Sequence, residues 1–276
     1  MVKMCDTLKV SRSGYYDWSN RKISKRKLYH LQLMNMMKQI HEESDGTYGG
    51  IRIQRELMIH GYICDIKLIE RLMKVCKISS KIKRKYTPST TDSNHNYEVS
   101  PNILNREFIV TKPNKVWVSD ITYIRVDKQW MYLCVIIDLF NREVLSCDLS
   151  RSLEAGSLIK VLNNAVIQHK PKPGLIFHSD RGIQYACNEF RRRLSIYKII
   201  QSMSRVKNCW DNAVAESFFK TLKVERVYHR KYMDEVQTKS DLFQYIEIFY
   251  NRKRLHSTLN YTNPVDYKKE YLKQIA

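Results

Sequence analysis

The chain has 276 residues, of which 43% are hydrophobic and 18 are tyrosines, a composition that excludes a low-complexity chain and favours about two globular domains. The formal net charge of +20 is spread along the sequence, and it favours a polyanionic partner, nucleic acid before an acidic membrane surface, over a merely soluble basic protein. Seven cysteines without a C-x-x-C pair argue against a zinc ribbon and against a secreted disulfide scaffold.

The sequence also predicts where the protein resides. Residues 1–18 contain no apolar core of signal-peptide length, and no stretch approaches the ~18 apolar residues of a membrane-spanning helix. We therefore expect a soluble, cytoplasmic protein with reduced thiols and no membrane contact.

The pattern of residues 1–79 predicts a helical, basic region. Its first long helix would place four apolar residues on one face: Leu28, Leu31, Met34 and Ile40. Two short amphipathic helices follow, separated by the break HGYICD. The second would turn one set of residues inward, namely Ile66, Ile69, Leu72 and Met73, and another outward, namely Lys67, Arg71 and Lys74. Two such helices resemble a helix-turn-helix that binds DNA, although many helical hairpins share the pattern.

Residues 80–106 are rich in Ser, Thr, Asn, Asp and Pro and lose the helical periodicity, which predicts a linker. Its first part is a basic string that contains Lys83, Arg84 and Lys85. This string would either follow DNA phosphates or serve as a solvated tether.

Residues 107–227 predict an α/β domain, and residues 228–276 a C-terminal helical extension. β-Branched and aromatic residues predict strands at 116–126, 129–140 and 142–150, spaced as in an antiparallel meander. The predicted order continues with a helix at 152–170, a strand at 174–180, a short helix at 186–197, a strand at 198–204 and a helix at 211–229. Asp211 or Asn212 would cap that last helix. This order fits a ribonuclease-H-like mixed sheet flanked by helices.

Two carboxylates lie on strands of the predicted sheet. Asp120 lies inside the first strand, and Asp180 ends the fourth. The two strands are neighbours in a ribonuclease-H-like sheet, so the carboxylates would lie side by side. Two like charges so close raise each other's pKa unless a cation lies between them. Closely spaced oxygen ligands suit Mg²⁺ or Mn²⁺.

Glu216 is the third acidic residue of interest. On the helix 211–227 it falls opposite an apolar arc, together with Lys220 and Lys223. The helix could therefore present Glu216 to the metal site and both lysines to a nearby DNA backbone. The alternative is an ordinary surface pair between Glu216 and Lys220, worth a few tenths of a kcal/mol.

The spacing of the three carboxylates carries a resemblance to a known family. Asp120 and Asp180 are followed, after 35 intervening residues, by Glu216, which resembles the triad of DDE transposases and retroviral integrases. The surrounding motifs narrow this resemblance: SRSGYYDW, GTYGGIRI, VWVSDITYI, VIIDLFNREVL, FHSDRGIQYA, NCWDNAVAESFFKTLKVE and YNRKRLHSTLNYTNPVDY. Together, across nearly the whole chain, they resemble the second-frame product of bacterial insertion-sequence transposases that join two overlapping reading frames.

The resemblance implies DNA strand breakage and joining at the terminal inverted repeats of the protein's own mobile element, in the bacterial cytoplasm at the nucleoid. By this resemblance, Asp120, Asp180 and Glu216 would hold two Mg²⁺ ions, with Mn²⁺ as a substitute, about 4 Å apart. Lys223 would contact DNA at the element's end. The implied partners are double-stranded DNA, further copies of the chain in a multimer, and an upstream-frame product or fusion.

Several further residues near the predicted site each allow two interpretations. Arg181 and Lys207 would contact phosphates or remain solvated. Trp210 and Asn212 would contact the DNA end, or else pack and cap the helix. Further residues are interpreted as structural, with Asp138 supporting a turn and His178 buried and satisfied. The rival functions are a catalytically idle integrase-fold DNA-binding protein and a nuclease of the same fold that cuts without joining.

Overall fold

The computed structural model describes residues 2–82, 97, 99–206 and 208–275, which divide into two compact units at the boundary between residues 80 and 81. Four residues predicted to bind DNA lie outside the described residues: Lys83, Arg84, Lys85 and Lys207. None of the described helices combines the length and apolar character that crossing a membrane requires.

The first unit is helical, as predicted. Its helices are α1 (Val2–Thr7), α2 (Arg12–Ser19), α3 (Lys25–Glu43), α4 (Gly50–Ile59) and α5 (Ile66–Val75). Serine side chains cap two of them, because the hydroxyl of Ser11 accepts the backbone N–H of Gly14 and the hydroxyl of Ser24 accepts that of Lys27. Helix α3 packs against both α4 and α5.

The apolar face predicted for α3 is wrong at two of its four positions. Leu33, Met37 and Ile40 are the buried residues of the helix, whereas Leu28 and Leu31 are exposed. The reason is helical geometry, since Leu31 lies nine residues, or about two and a half turns, before Ile40 and therefore on the opposite side. The remaining predicted residue, Met34, is only partly buried.

The predicted helical pair is present as α4 and α5. Helix α5 buries Ile69, Leu72 and Met73, while Ile66 is partly buried. The basic residues of α5 predicted to face outward are exposed: Lys67, Arg71 and Lys74. Gly61, in the turn between the helices, has a φ of +81°, a conformation in which other residues are strained.

The second unit is built on a five-stranded mixed sheet. Its strands are β1 (Val116–Val126), β2 (Gln129–Asp138), β3 (Val144–Ser150), β4 (Ile176–Ser179) and β5 (Ile200–Met203), in the spatial order β3-β2-β1-β4-β5. The first three strands form the predicted antiparallel meander, and β4 and β5 run parallel to β1. The prediction that the first and fourth strands are adjacent in the sheet is therefore confirmed.

Helices cover the sheet. They are α6 (Ala155–His169), α7 (Ile183–Ala186), α8 (Asn188–Ile196), α9 (Ala213–Glu225), α10 (Glu235–Phe243) and α11 (Pro264–Ile275), with a π-helical stretch at Gln244–Tyr250. Two apolar cores result: one includes the buried residues of α6 and α8, and the other those of α9 and α10. The class predicted from the sequence, a ribonuclease-H-like sheet with flanking helices, agrees with this arrangement.

The last residues of the segment predicted as a linker pack against the sheet. Ser100 donates to the side chain of Gln201 at 2.9 Å, and the backbone N–H of Ile103 donates to the hydroxyl of Ser202 at 2.9 Å. Leu104 is buried in the core. The described end of this segment is therefore part of the second unit and is not a free tether.

Candidate active site

The parallel pairing of β1 with β4 brings two carboxylates to adjacent strands. The paired register runs to Val118 opposite His178, and Asp120 and Asp180 follow two residues later on their respective chains. The carboxylate of Asp120 accepts the backbone N–H of Ile121 at 2.8 Å, and that of Asp180 accepts the backbone N–H of Gly182 at 2.9 Å. Both side chains are half-buried, so each carboxylate is held near the sheet by a local hydrogen bond.

Glu216 comes from the first turn of α9, which packs against β1. The predicted apolar arc is confirmed, since Ala215, Phe218, Phe219 and Leu222 are buried. Glu216 itself is exposed on the opposite side. Within the part of the chain that the structure describes, Glu216 and Lys220 form no ion pair, although they are four residues apart.

The electrostatics indicate that the charges of the three carboxylates act on one another. Burial raises the pKa of Asp120 well above its usual range, and the nearby charge of Asp180 raises it further, with a smaller contribution from Glu216. Although Glu216 is exposed, the protein around it partly desolvates its carboxylate and so raises its pKa, and the charge of Asp180 raises it further. Asp120 and Glu216 therefore lie in surroundings that disfavour their negative charge, and the charge of Asp180 contributes in both cases.

The lysine predicted to contact DNA lies beside this group. Lys223 is half-buried, burial lowers its pKa, and the charge of Asp120 opposes that change. Its ammonium group in turn lowers the pKa of Asp120. Lys220, in contrast, is exposed and is available to a partner on the outer face of α9.

The remaining residues predicted to bind DNA are placed differently from one another. Trp210 is exposed, with 69% of its surface accessible. Arg181 is half-buried and donates to the backbone carbonyl of Ser204. Asn212 is buried and donates to the carbonyl of Ser119 at 3.1 Å. It occupies the position before α9, yet its side chain makes no capping hydrogen bond, so the predicted cap by Asp211 or Asn212 is wrong.

Two polar residues interpreted as structural are indeed bonded within the fold. The buried carboxylate of Asp138 accepts the backbone N–H of Asn114 at 2.8 Å and that of Phe140 at 2.9 Å. The buried ring of His178 is bonded on both nitrogens, to the hydroxyls of Ser202 and Ser204. Burial lowers the pKa of His178 to about 4, so the ring is neutral at pH 7.

Reasoning from the sequence missed the role of Asp211. Its carboxylate is completely buried and is the acceptor for three side chains: Asn102, Arg106 and Arg205. The only sequence signal was an acidic residue next to Asn212 at the start of a helix, which suggests a cap. Two of these partners, Asn102 and Arg106, come from a distant part of the chain, so no local pattern indicates them.

Comparison with known proteins identifies the domains. Residues 110–209 and 216–272 match two family models described as integrase core domain, and residues 29–86 match a model described as HTH-like domain. The catalytic core of the HTLV-2 integrase, solved in complex with magnesium, is 18% identical and matches with a TM-score of 0.41, covering 53% of this chain and 92% of that one.

Curated relatives match over almost the whole chain. A 31 kDa protein of insertion element IS600 from Shigella sonnei is 39% identical over 99% of this chain and 100% of its own length. Transposase InsF for insertion sequence IS3A from Escherichia coli is 33% identical over 98% of this chain and 94% of its own length. The chain therefore belongs to the family of insertion-sequence transposases that includes InsF of IS3, DNA transposases with an integrase catalytic core.

Proposed function

We propose that the chain cleaves and joins DNA strands at the terminal inverted repeats of its own mobile element, with Asp120, Asp180 and Glu216 as the catalytic carboxylates. The observation that supports this most directly is electrostatic. The charges of Asp180 and Glu216 raise the pKa of Asp120, and the charge of Asp180 raises the pKa of Glu216, although the three residues come from β1, the end of β4 and α9. A structural role alone gives no reason to place Asp120 and Glu216 where burial and the charge of Asp180 raise their pKa values.

The donor set suits a hard divalent cation. All three side chains offer carboxylate oxygens, the ligands that Mg²⁺ and Mn²⁺ prefer. Among the residues that the structure describes, no three His, Cys, Asp or Glu side chains form a group that could hold a metal ion by themselves, so the triad would hold the ions only together with oxygen ligands from DNA and water. Two divalent ions held by the triad would activate the attacking oxygen and stabilise the leaving 3′-oxygen of an in-line displacement.

The chain's own residues would position the reactants. The backbone N–H groups of Ile121 and Gly182 hold the carboxylates of Asp120 and Asp180 in place before any substrate binds. Lys223 offsets part of the negative charge beside Asp120 and would contact a phosphate of the DNA end. Lys220 and Trp210, both exposed, would contact the same DNA on the outer side of the site.

The first unit would supply sequence recognition. The exposed basic side of α5 fits the recognition helix of a helix-turn-helix, which enters the major groove. We expect double-stranded DNA as the partner, both as element ends and as target. A multimer on paired ends, and an upstream-frame product or fusion, complete the expected assembly.

The proposal is tested with purified protein, a duplex carrying the terminal repeats that flank its gene, and Mg²⁺ or Mn²⁺. Glu216→Gln is the parallel variant, because it removes the charge and keeps the shape. We expect nicked and joined products from the wild-type chain and only DNA binding from the variant. The measurement is separation of labelled strands by denaturing electrophoresis.

The control is Glu235→Gln, which alters a half-buried carboxylate on α10 that pairs with Arg151 and Lys239. This variant should nick and join as the wild type does. Nicking without joined products would identify a nuclease. If the protein binds DNA but yields neither product, even when it is fused to its upstream frame, the proposed enzymatic activity is refuted. The chain would then be a DNA-binding protein without catalytic activity.

A further inference from the structure

The loop between β5 and α9 is organised by one buried carboxylate. Asp211 ends this loop, and its two oxygens accept five hydrogen bonds at 2.8–2.9 Å. Three come from Arg205, through its backbone N–H, Nε and Nη2, one from Asn102 and one from Arg106. Because both oxygens are occupied by these donors, Asp211 serves as an anchor for the surrounding chain and is not placed to act as a ligand.

The partners of Asp211 come from two separate segments. Asn102 and Arg106 belong to the segment that packs along β5, while Arg205 lies two residues after the end of β5. Arg106 also donates to the side chain of Asn208 at 2.8 Å, in the middle of the same loop. The carboxylate therefore joins the segment that enters the catalytic unit to the loop that leads into α9.

Asn212, the residue after Asp211, connects the loop to β1, the strand that carries Asp120. Asn212 donates from its side-chain amide to the carbonyl of Ser119, the residue that precedes Asp120. Helix α9 begins immediately afterwards, and Glu216 lies in its first turn. The pair of residues 211 and 212 thus links the backbone beside Asp120 with the start of the helix that carries Glu216.

We propose that Asp211 is a positioning residue for the reaction: it holds the loop so that Asn212 fixes the distance between the Glu216 helix and the strand of Asp120. This inference rests on the proposed function of the triad. In this role, the ion pairs that Arg106 and Arg205 form with Asp211 maintain the geometry of the site. The neighbouring Arg205 guanidinium also holds the pKa of Asp211 well below its usual range, so the anchor stays ionised at pH 7.

The test compares Asp211→Asn with the matched control Asp241→Asn. Asp241 is also a carboxylate bonded to an arginine, Arg226, and it accepts the hydroxyl of Tyr232 at 2.8 Å, but it lies on α10. The measured quantity is the Mn²⁺ concentration that gives half of the maximal rise in melting temperature, with strand transfer followed in parallel. Loss of a residue that orients metal ligands weakens metal affinity by ~10–100-fold. We expect a shift of about 10-fold for Asp211→Asn and none for Asp241→Asn.

The outcomes separate this inference from the proposed function. Asp120→Asn is the reference that should abolish the response to Mn²⁺. If the wild type shows neither a response to Mn²⁺ nor strand transfer, the proposed function fails. If the wild type responds and Asp211→Asn matches Asp241→Asn, only the positioning role is overturned. Should Asp211→Asn not fold, Arg106→Ala takes its place under the same criteria, because that side chain is 44% exposed and its loss should be tolerated.

Discussion

At the scale of single residues, Gly182 allows the Asp180 carboxylate to lie against the backbone. A Cβ at position 182 would be 3.0 Å from Asp180 Oδ1 and 3.0 Å from Gln184 Oε1. The φ of −59° suits alanine, so the substitution Gly182→Ala would displace side chains and leave the backbone unstrained. Because misplaced catalytic groups cost rate steeply, we expect strand transfer to fall by about 10-fold or more with little change in melting temperature.

Gly156→Ala is the control for this variant. A Cβ at position 156, in α6, would meet no atom within 4 Å. Alanine also favours a helix over glycine, so stability should rise slightly and strand transfer should stay unchanged. Equal rates for both variants would show that the close approach at Gly182 has no catalytic consequence.

Asp138 makes the stability of the fold depend on pH. Burial raises its pKa to about 6, although two backbone N–H groups oppose this. Between pH 4 and pH 6 the folded state therefore holds a proton that the unfolded state releases, and the free energy of unfolding falls as the pH rises through this window. A shift of about two pKa units corresponds to at most ~3 kcal/mol.

The measurement for Asp138 is urea unfolding of the wild type and of Asp138→Asn at pH 4.5 and pH 7. The free energy of unfolding of the wild type, relative to the variant, should decrease between the two pH values. An unchanged difference between the two proteins would mean that Asp138 stays ionised throughout and that its two hydrogen bonds outweigh burial.

At the scale of elements, a buried ion pair fastens the C-terminal extension to α9. Arg254 donates from Nε and Nη2 to the two carboxylate oxygens of Glu225, and Tyr245 donates to the same carboxylate at 2.7 Å. The side chains of Arg254 and Glu225 are only 7% and 2% exposed. The extension is therefore integrated with the helix that carries Glu216, and Arg254 is occupied inside the protein.

Removing Arg254 should destabilise the whole catalytic unit. Arg254→Ala leaves a buried, unpaired carboxylate, and such losses cost ~3–5 kcal/mol. Lys239→Ala removes an exposed pair with Glu235 and should cost less than ~1 kcal/mol. Urea unfolding measures both, and similar losses would show that Glu225 finds water or another donor once Arg254 is absent.

At the scale of the whole molecule, we expect the net charge of +20 to favour the proposed binding to DNA. Each phosphate contact contributes about −0.9 to the slope of log affinity against log salt concentration. Replacing the exposed basic residues of α5, Lys67, Arg71 and Lys74, by alanine should therefore weaken binding and reduce that slope by roughly 2–3. Fluorescence anisotropy with a labelled duplex at several salt concentrations measures both quantities.

A second triple variant controls for charge alone. It replaces three lysines that pair with carboxylates elsewhere: Lys160, Lys239 and Lys269. The net charge changes by the same amount in both variants. If both reduce the salt slope equally, the overall charge of the molecule decides DNA binding, and α5 does not.

The sequence by itself determined the secondary structure of the catalytic unit and the choice of candidate carboxylates. The strand at 116–126 and the apolar arc of α9 were predictable because alternation and helical spacing are local properties of the chain. The spacing of Asp120, Asp180 and Glu216 was readable without coordinates, and their roles in catalysis stay predictions.

Only the tertiary structure decided which polar groups pair with one another. Arg106 and Asp211 are 105 residues apart in sequence, and Arg254 and Glu225 are 29 residues apart. No local sequence pattern therefore predicts either pair. The same holds for Asn212, whose bond to Ser119 replaces the expected cap. Periodicity along the chain is set by each element alone, whereas the partner of a buried charge is set by the packing of distant segments, which must satisfy it once water is excluded.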